Sequence, residues 1–376
     1  MSVSLNEQEL KLYEDARSFS TEHLTPLVSL VEQGEKKVSD VFKLLAKRGY
    51  LSLLIPTELG GQGYSFLEAA LIYEGLAYGS GTLAFMLQLH NNITYEIAML
   101  YSTSQEVKSL LPGMINGSKI TAFAFTEESS GSDAASIKAY AELKSDGYHI
   151  YGKKVWIANA GDAAHFNVIV RDGQDNRNMV MLLVDRDTPG FAIGESRDRF
   201  GGNAITCCDL TFDNCVVPVE RVISKNGFKD ALVAIDIARI FVPAIATGVS
   251  SAAINQTVEY LSNRVSFNQP IIRNQGIQWS LAEMQARVEA GRWMVYHCAS
   301  LMDDHKFTKT DAAMNKLITT DVAMDVAILC MQYQGANGFM RNSGISRIVS
   351  EAKMFQLLDG TSEIQKIIIG RDLGLK

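Results

Sequence analysis

The chain is poor in residues that announce metal, thiol-redox or nucleotide-loop chemistry. Its five cysteines in 376 residues are scattered, with Cys207 and Cys208 adjacent. No two stand as CxxC, so they read as buried free thiols in a reducing compartment. The six histidines are isolated and form no HxxE, HxxxH or Ser–His–Asp pattern, so neither a metal site nor a triad hydrolase is expected. GxGxxG is absent, and Gly60-Gly61-Gln62-Gly63 is no substitute for it. There is no basic cluster with interleaved aromatics. With a net charge of −7 and a pI near 5.5, nucleic acid is excluded as the main partner. The most apolar stretch, around Ile235 to Ile254, is interrupted by Asp236 and Arg239 and does not read as membrane-spanning. The start, MSVSLNEQEL, is polar and acidic, unlike a signal or transit peptide. These features lead us to expect a cytoplasmic location.

What is present is an ordinary globular composition, 47% hydrophobic and 20% charged, in a chain long enough for two or three packed units. Three textures follow one another, without repeats or low-complexity segments. Residues 1–117 read as helical, with Leu67 to Tyr78 and Leu87 to Tyr101 carrying helical periodicity, broken by a loop at Pro56 and Gly60-Gly61. Residues 118–224 read as β. Ala139, Ala141 and Leu143 alternate with polar residues, Asp146-Gly147 marks a turn, and Phe166 to Val170, Val180 to Val184 and Asp209 to Phe212 are further strands. No strand is followed by a crossover helix, so the prediction is an antiparallel barrel or sandwich. Residues 225–376 read as helical again. Pro243 is expected to start or kink a helix, and Leu281 to Leu301 and Asp311 to Met331 supply amphipathic members of a four-helix bundle.

Two stretches carry more than texture. Phe123 to Asp133, FAFTEESSGSD, passes at once from an apolar strand to a loop of small hydroxyls and carboxylates, suited to a phosphate or a polar cofactor edge but equally to a plain turn. Phe355 to Gly370, FQLLDGTSEIQKIIIG, places Asp359-Gly360 where the chain reverses, and Ser362 with Gln365 has capping-box spacing. Together these stretches resemble motifs of the acyl-CoA dehydrogenase family. The resemblance runs nearly end to end, through Gly49 to Gly63 (GYLSLLIPTELGGQG), Gly152 to Gly161 (GKKVWIANAG), Leu210 to Pro218 (LTFDNCVVP), Arg264 to Phe267 (RVSF) and Gln332 to Gly338 (QYQGANG). No one of the seven is decisive, but seven in order are specific.

The resemblance implies a three-domain α+β fold with FAD held without a covalent link. It implies α,β-desaturation of an acyl thioester carried by coenzyme A or an acyl carrier protein. Phe123, Phe125, Thr126 and Ser132 match the first flavin-facing segment, and Ser132 also matches a pantetheine contact. Trp156, Ile157 and Ala158 match the segment against the isoalloxazine ring; Ala158 stands where a hydroxyl is common, which removes a polar handle on the redox centre. Arg264, Phe267 and Gln275, with Gln332, Gly335 and Ala336, match segments that reach the adenosine diphosphate half of FAD from a neighbouring subunit, which implies a homodimer or homotetramer. Thr361 and Glu363 belong to the cofactor-side turn. Asp236 and Arg239 match helix positions near the thioester. Asp359 stands where the family's base is usually glutamate, and Ala238 offers no substitute base on the neighbouring helix. In the family, a flavin hydroxyl and the base residue's own N–H polarise the thioester carbonyl while the β-hydride moves to the flavin. For the electrons the resemblance leaves two acceptors open, an electron-transfer flavoprotein and oxygen. Aspartate as base also resembles nitroalkane oxidases; flavin monooxygenases of the fold and a non-catalytic flavin-binding protein are the remaining readings.

Overall fold

The computed structural model describes residues 5–100, 105–174, 177–341 and 343–375; Tyr101, the predicted end of one helix, lies outside them. Six helices open the chain: α1 (Glu7–Phe19), α2 (Thr25–Glu32), α3 (Val38–Ala46), α4 (Phe66–Gly79), α5 (Gly81–Leu100) and α6 (Gln105–Ile115). Capping boxes at Asn6/Glu9 and Ser65/Glu68 start α1 and α4. Two starts, those of α4 and α5, are also capped from far away in sequence. Asp303 accepts from the Phe66 and Leu67 N–H groups at 2.7 and 3.1 Å. Glu351 accepts from Thr82 N at 2.7 Å and Thr82 Oγ1 at 2.6 Å. A carboxylate at a helix N-terminus satisfies orphan donors and the helix dipole together.

Strands β1 (Ile120–Ala124), β2 (Tyr140–Lys144), β3 (Gly147–Ala158), β4 (Ala163–Asp172), β5 (Met179–Asp185), β6 (Phe191–Ile193), β7 (Cys207–Val217) and β8 (Val222–Ser224) form one sheet in the order β6-β7-β3-β2-β4-β5-β8, with β1 added on β4. The expected antiparallel barrel or sandwich holds for most pairings, β2–β3, β3–β7, β4–β5, β5–β8 and β6–β7, but β1 and β2 both pair with β4 in parallel, so the sheet is mixed. The physical reason is that β4 takes partners distant in sequence, which a search for crossover helices does not test. The Asp146-Gly147 hairpin is present, with Lys144 opposite Gly147.

The second helical part comprises α7 (Gly227–Asn263), a two-strand hairpin β9 (Val265–Ser266) and β10 (Gln269–Pro270), α8 (Gln275–Asp303), α9 (Lys309–Gln334), α10 (Gly344–Leu357) and α11 (Ser362–Asp372). Helix α7 is long and apolar enough to cross a bilayer by length and composition, yet 78% of its most apolar window is buried in this fold. It is the axis on which α4, α5, α8, α9 and α10 pack, and one core joins both helical parts through Leu71, Tyr73, Phe85, Phe241, Val326 and Phe355. Pro243 lies inside α7 rather than at its start. Proline cannot donate to the carbonyl four residues back; here that carbonyl, Arg239 O, accepts from Asn315 Nδ2 of α9 at 3.1 Å. All five cysteines are buried and free.

Candidate active site

The turn between α10 and α11 carries the most unusual group in this part of the molecule. Asp359 and Gly360 both have positive φ, 53° and 90°, a left-handed conformation that aspartate and glycine tolerate better than most residues; side chains around the turn fix it. Three side chains do so through the turn's carbonyls. Arg239 Nε of α7 donates to Asp359 O at 3.0 Å. Lys316 Nζ of α9 donates to Gly360 O at 2.9 Å and to Gln356 O at 2.8 Å. Gln365 Nε2 of α11 donates to Gly360 O at 2.8 Å and Asp359 O at 3.3 Å. The expected capping box is absent: Ser362 donates instead to Asp321 and Gln365 turns back to the loop, so no side chain caps α11.

With its backbone fixed, the Asp359 carboxyl is left with a buried, unpartnered Oδ2. Burial holds its pKa above the ordinary aspartate value, and Lys316 and Arg239 pull the other way. A carboxylate stripped of water is a stronger base, and the two cations keep it ionisable. Asp236, whose Oδ1 accepts from Arg239 Nη1 at 2.9 Å, is likewise raised by burial. Arg239 is therefore occupied by Asp236 and the turn; it is not a free fork aimed at a ligand. Burial depresses the Lys316 ammonium to about 8, with Asp359 opposing the shift. Sequence reasoning missed Lys316. Its one signal was a lysine among small and polar residues at helical spacing, Ala312, Asn315, Thr319 and Thr320, all of them buried.

The two motif segments of the β-domain stand side by side. Lys154 Nζ, fully buried, bonds Phe125 O and Glu127 Oε1, both at 2.8 Å, and Val155 N donates to Thr126 O at 2.9 Å. The β3–β7 register breaks between Lys154 and Ile157, with Trp156 at φ 57°. That bulge turns the indole outward to 50% exposure, so Trp156 is not the core residue that a mid-strand indole suggests. Ile157 is buried and Ala158 packs on the helical core. Asn159 Nδ2 reaches Met86 O of α5 at 3.2 Å, and the next residue back, Phe85, meets Phe355 of α10 edge-on at 6.3 Å between centroids. Helix α5 thus ties the Trp156 segment to the helix that ends at Asp359. Phe123 is half-buried, Phe125 buried, Thr126 half-buried and Ser132 exposed.

The remaining motif residues lie elsewhere. Arg264 follows α7, 25 residues beyond Arg239, about 37 Å along a helix. Arg264, Gln275, Gln332, Gly335 and Ala336 are exposed, and Phe267 is 98% exposed at φ 50°. Gly335 has φ 58° with nothing within 4 Å of where a side chain would begin, so its loop is open to an approaching ligand. Thr361 is half-buried and Glu363 exposed beside the Asp359 turn. Arg264 thus lies far along α7 from the Asp359 turn.

The chain thus combines two helical parts with a β-domain between them in sequence and carries a buried, unpartnered carboxyl on the turn between α10 and α11. Family models for the N-terminal, middle and C-terminal domains of acyl-CoA dehydrogenase match residues 6–118, 122–215 and 225–374, and the chain belongs to the acyl-CoA dehydrogenase family. It is 33% identical to acryloyl-CoA reductase (NADH) of Anaerotignum propionicum over 99% of this chain and 96% of that one. It is 28% identical to butyryl-CoA dehydrogenase from Megasphaera elsdenii, with a TM-score of 0.93 over 99% and 100% of the two chains. It is 25% identical to PigA, solved with FAD and proline, with a TM-score of 0.94 over the whole of both chains. The protein is an FAD-dependent enzyme acting on CH–CH groups. The site fits that cofactor: Thr126 and Trp156 face outward from adjacent segments, Asp359 Oδ2 is unclaimed, and the Gly335 loop is open.

Proposed function

We propose that the enzyme desaturates an acyl thioester between its α and β carbons, with Asp359 as the base. The observation that carries this is the buried, unpartnered Asp359 Oδ2 on a turn held from three helices. Breaking the α-C–H bond delivers its proton to that oxygen, and the electron pair left behind forms the new double bond. FAD, when bound, supplies the acceptor for the β-hydride. Arg239, Lys316 and Gln365 are positioning residues: they fix the carboxylate by its backbone and tune its basicity, and none has a donor aimed at substrate. Thr126, Ile157, Ala158, Thr361 and Glu363 are proposed to line the flavin from the same protomer. Arg264, Phe267, Gln275, Gln332 and Ala336 are proposed to line it from a second one, because about 37 Å of helix separates Arg264 from Arg239. Coenzyme A or a carrier protein presents the acyl group, and a partner flavoprotein is the expected electron acceptor.

An aspartate where the family has glutamate favours one second reading, a nitroalkane oxidase. Anaerobic bleaching of the bound flavin by a panel of acyl thioesters and nitroalkanes separates the two. Bleaching by thioesters alone supports desaturation; bleaching by nitroalkanes alone overturns it; bleaching by neither returns the chain to a flavin-binding role.

A further inference from the structure

The face of α5 that looks from the active site toward the β-domain is polar where a core helix should be apolar. Gln88, Asn92 and Glu96 stand at i, i+4 and i+8, one above another on that face. Gln88 is completely buried, and neither its Oε1 nor its Nε2 has a partner. Asn92 Oδ1 and Glu96 Oε1 are buried and unpartnered, as is Oδ1 of the fully buried Asn167 across from Glu96. Each such orphan costs about 1–3 kcal/mol in a fold that gains nothing else from it, so four polar side chains in one place ask for a ligand.

Position and polarity identify what kind. Asn92 Nδ2 donates to Ala234 O of α7 at 2.8 Å. Ala234 lies five residues before Arg239, about 7.5 Å along the helix, and Arg239 holds the Asp359 turn. At its other end the same stretch of α5 meets Phe355 and Asn159. The stripe therefore meets α7 at Asn92, about one and a half turns from the arginine that holds the Asp359 turn. Asn92 and Asn167 already spend their N–H groups, on Ala234 O and on Glu96 Oε2 at 2.9 Å, so their free oxygens only accept. Gln88 Oε1 adds an acceptor and Gln88 Nε2 a free amide donor, while Glu96 Oε1 accepts when the carboxyl is ionised and donates when it is protonated. Burial raises Glu96 to about 8, so its carboxyl adapts to either a neutral or a cationic partner.

We infer that the substrate's acyl chain ends in a hydrogen-bond donor, a hydroxyl or an ammonium, received by Gln88, Asn92, Glu96 and Asn167. A plain alkyl tail offers none of the four groups a hydrogen-bond donor. This rests on the thioester reading, and its failure is separable from failure of that reading.

The test compares three thioesters of matched length, hexanoyl-, 5-hydroxypentanoyl- and 5-ammoniopentanoyl-coenzyme A, by anaerobic flavin reduction, and non-desaturable thioether analogues of each by calorimetric titration. A hydroxyl- or ammonium-ended chain should exceed hexanoyl by at least about tenfold in kcat/KM and in affinity, because a site built to bond a polar group rejects its apolar isostere. The better of the two polar chains names the source of the donor. Gln88→Leu and Asn92→Leu should reverse the preference; Gln88→Leu should also raise the melting temperature, since it removes two buried orphan atoms, whereas Asn92→Leu also gives up the bond to Ala234 O. Hexanoyl preferred by the wild type, or a preference unmoved in both variants, overturns the inference and leaves desaturation standing. Reduction by none of the three, with nitroalkanes active, overturns both.

Discussion

Replacing Lys316 with methionine separates a base that is merely buried from one that is held and tuned. The change keeps the length of the side chain and deletes the ammonium. Two hydrogen bonds are lost, to Gly360 O at 2.9 Å and Gln356 O at 2.8 Å. Bonds from a charged donor contribute about 1.5–3 kcal/mol each, but the ammonium's own burial, which holds its pKa down to about 8, offsets part of that. The net loss is expected at about 2–4 kcal/mol. The chemical effect has a definite sign. Lys316 is the cation that most lowers the Asp359 pKa, so without it that pKa rises further above the ordinary aspartate value. A base must be ionised to act; the rate of flavin reduction therefore rises with pH, and the rising limb in Lys316→Met should lie at higher pH than in wild type. Stopped-flow reduction across pH, with a melting curve at each pH, reads both quantities. A variant with full flavin content, wild-type stability and an unmoved pH profile would refute the account of the turn.

Asp359→Glu adds one methylene to a carboxyl whose backbone is pinned at three points, so it should slow reduction by overcrowding, on the order of 10²-fold for a displacement of about 1 Å; a faster rate would mean the site is a shortened copy of a glutamate enzyme. Glu96, raised from 4.5 to about 8 in the fold, binds its proton more tightly folded than unfolded, so stability falls as pH rises through that window. Glu96→Gln should flatten the decline, seen as a melting temperature that gains more at pH 8 than at pH 5. If Arg264, Gln275 and Gln332 complete the cofactor site from a second protomer, light scattering should show at least a dimer, and Arg264→Ala should weaken FAD retention without unfolding the chain; a monomer retaining FAD would oppose this.

Much of the site could be read in the sequence because its parts are local. The Asp359-Gly360 reversal, the KVWIANAG strand and the helical periods of α4, α8 and α9 each declare themselves within a dozen residues. Elements that depend on distant partners did not. Parallel pairing of β1 and β2 with β4 joins segments more than thirty residues apart. Asp303 and Glu351 look like surface charges until they are seen capping α4 and α5. Pro243 was expected to start or kink a helix; it lies inside α7, where Asn315 takes the carbonyl it leaves free. Lys316 and the Gln88–Asn92–Glu96 stripe are single polar letters in apolar helices, a pattern that only burial distinguishes from a solvated face.

The central claim is that Asp359 Oδ2 takes the substrate's α-proton. Asp359→Asn keeps the size and the turn and removes the basicity. With one thioester that bleaches the wild-type flavin anaerobically, the account predicts that Asp359→Asn holds FAD at wild-type content and shows no reduction, because an amide does not accept the proton. Reduction at the wild-type rate in that variant would contradict it and leave Asp359 as only a turn residue.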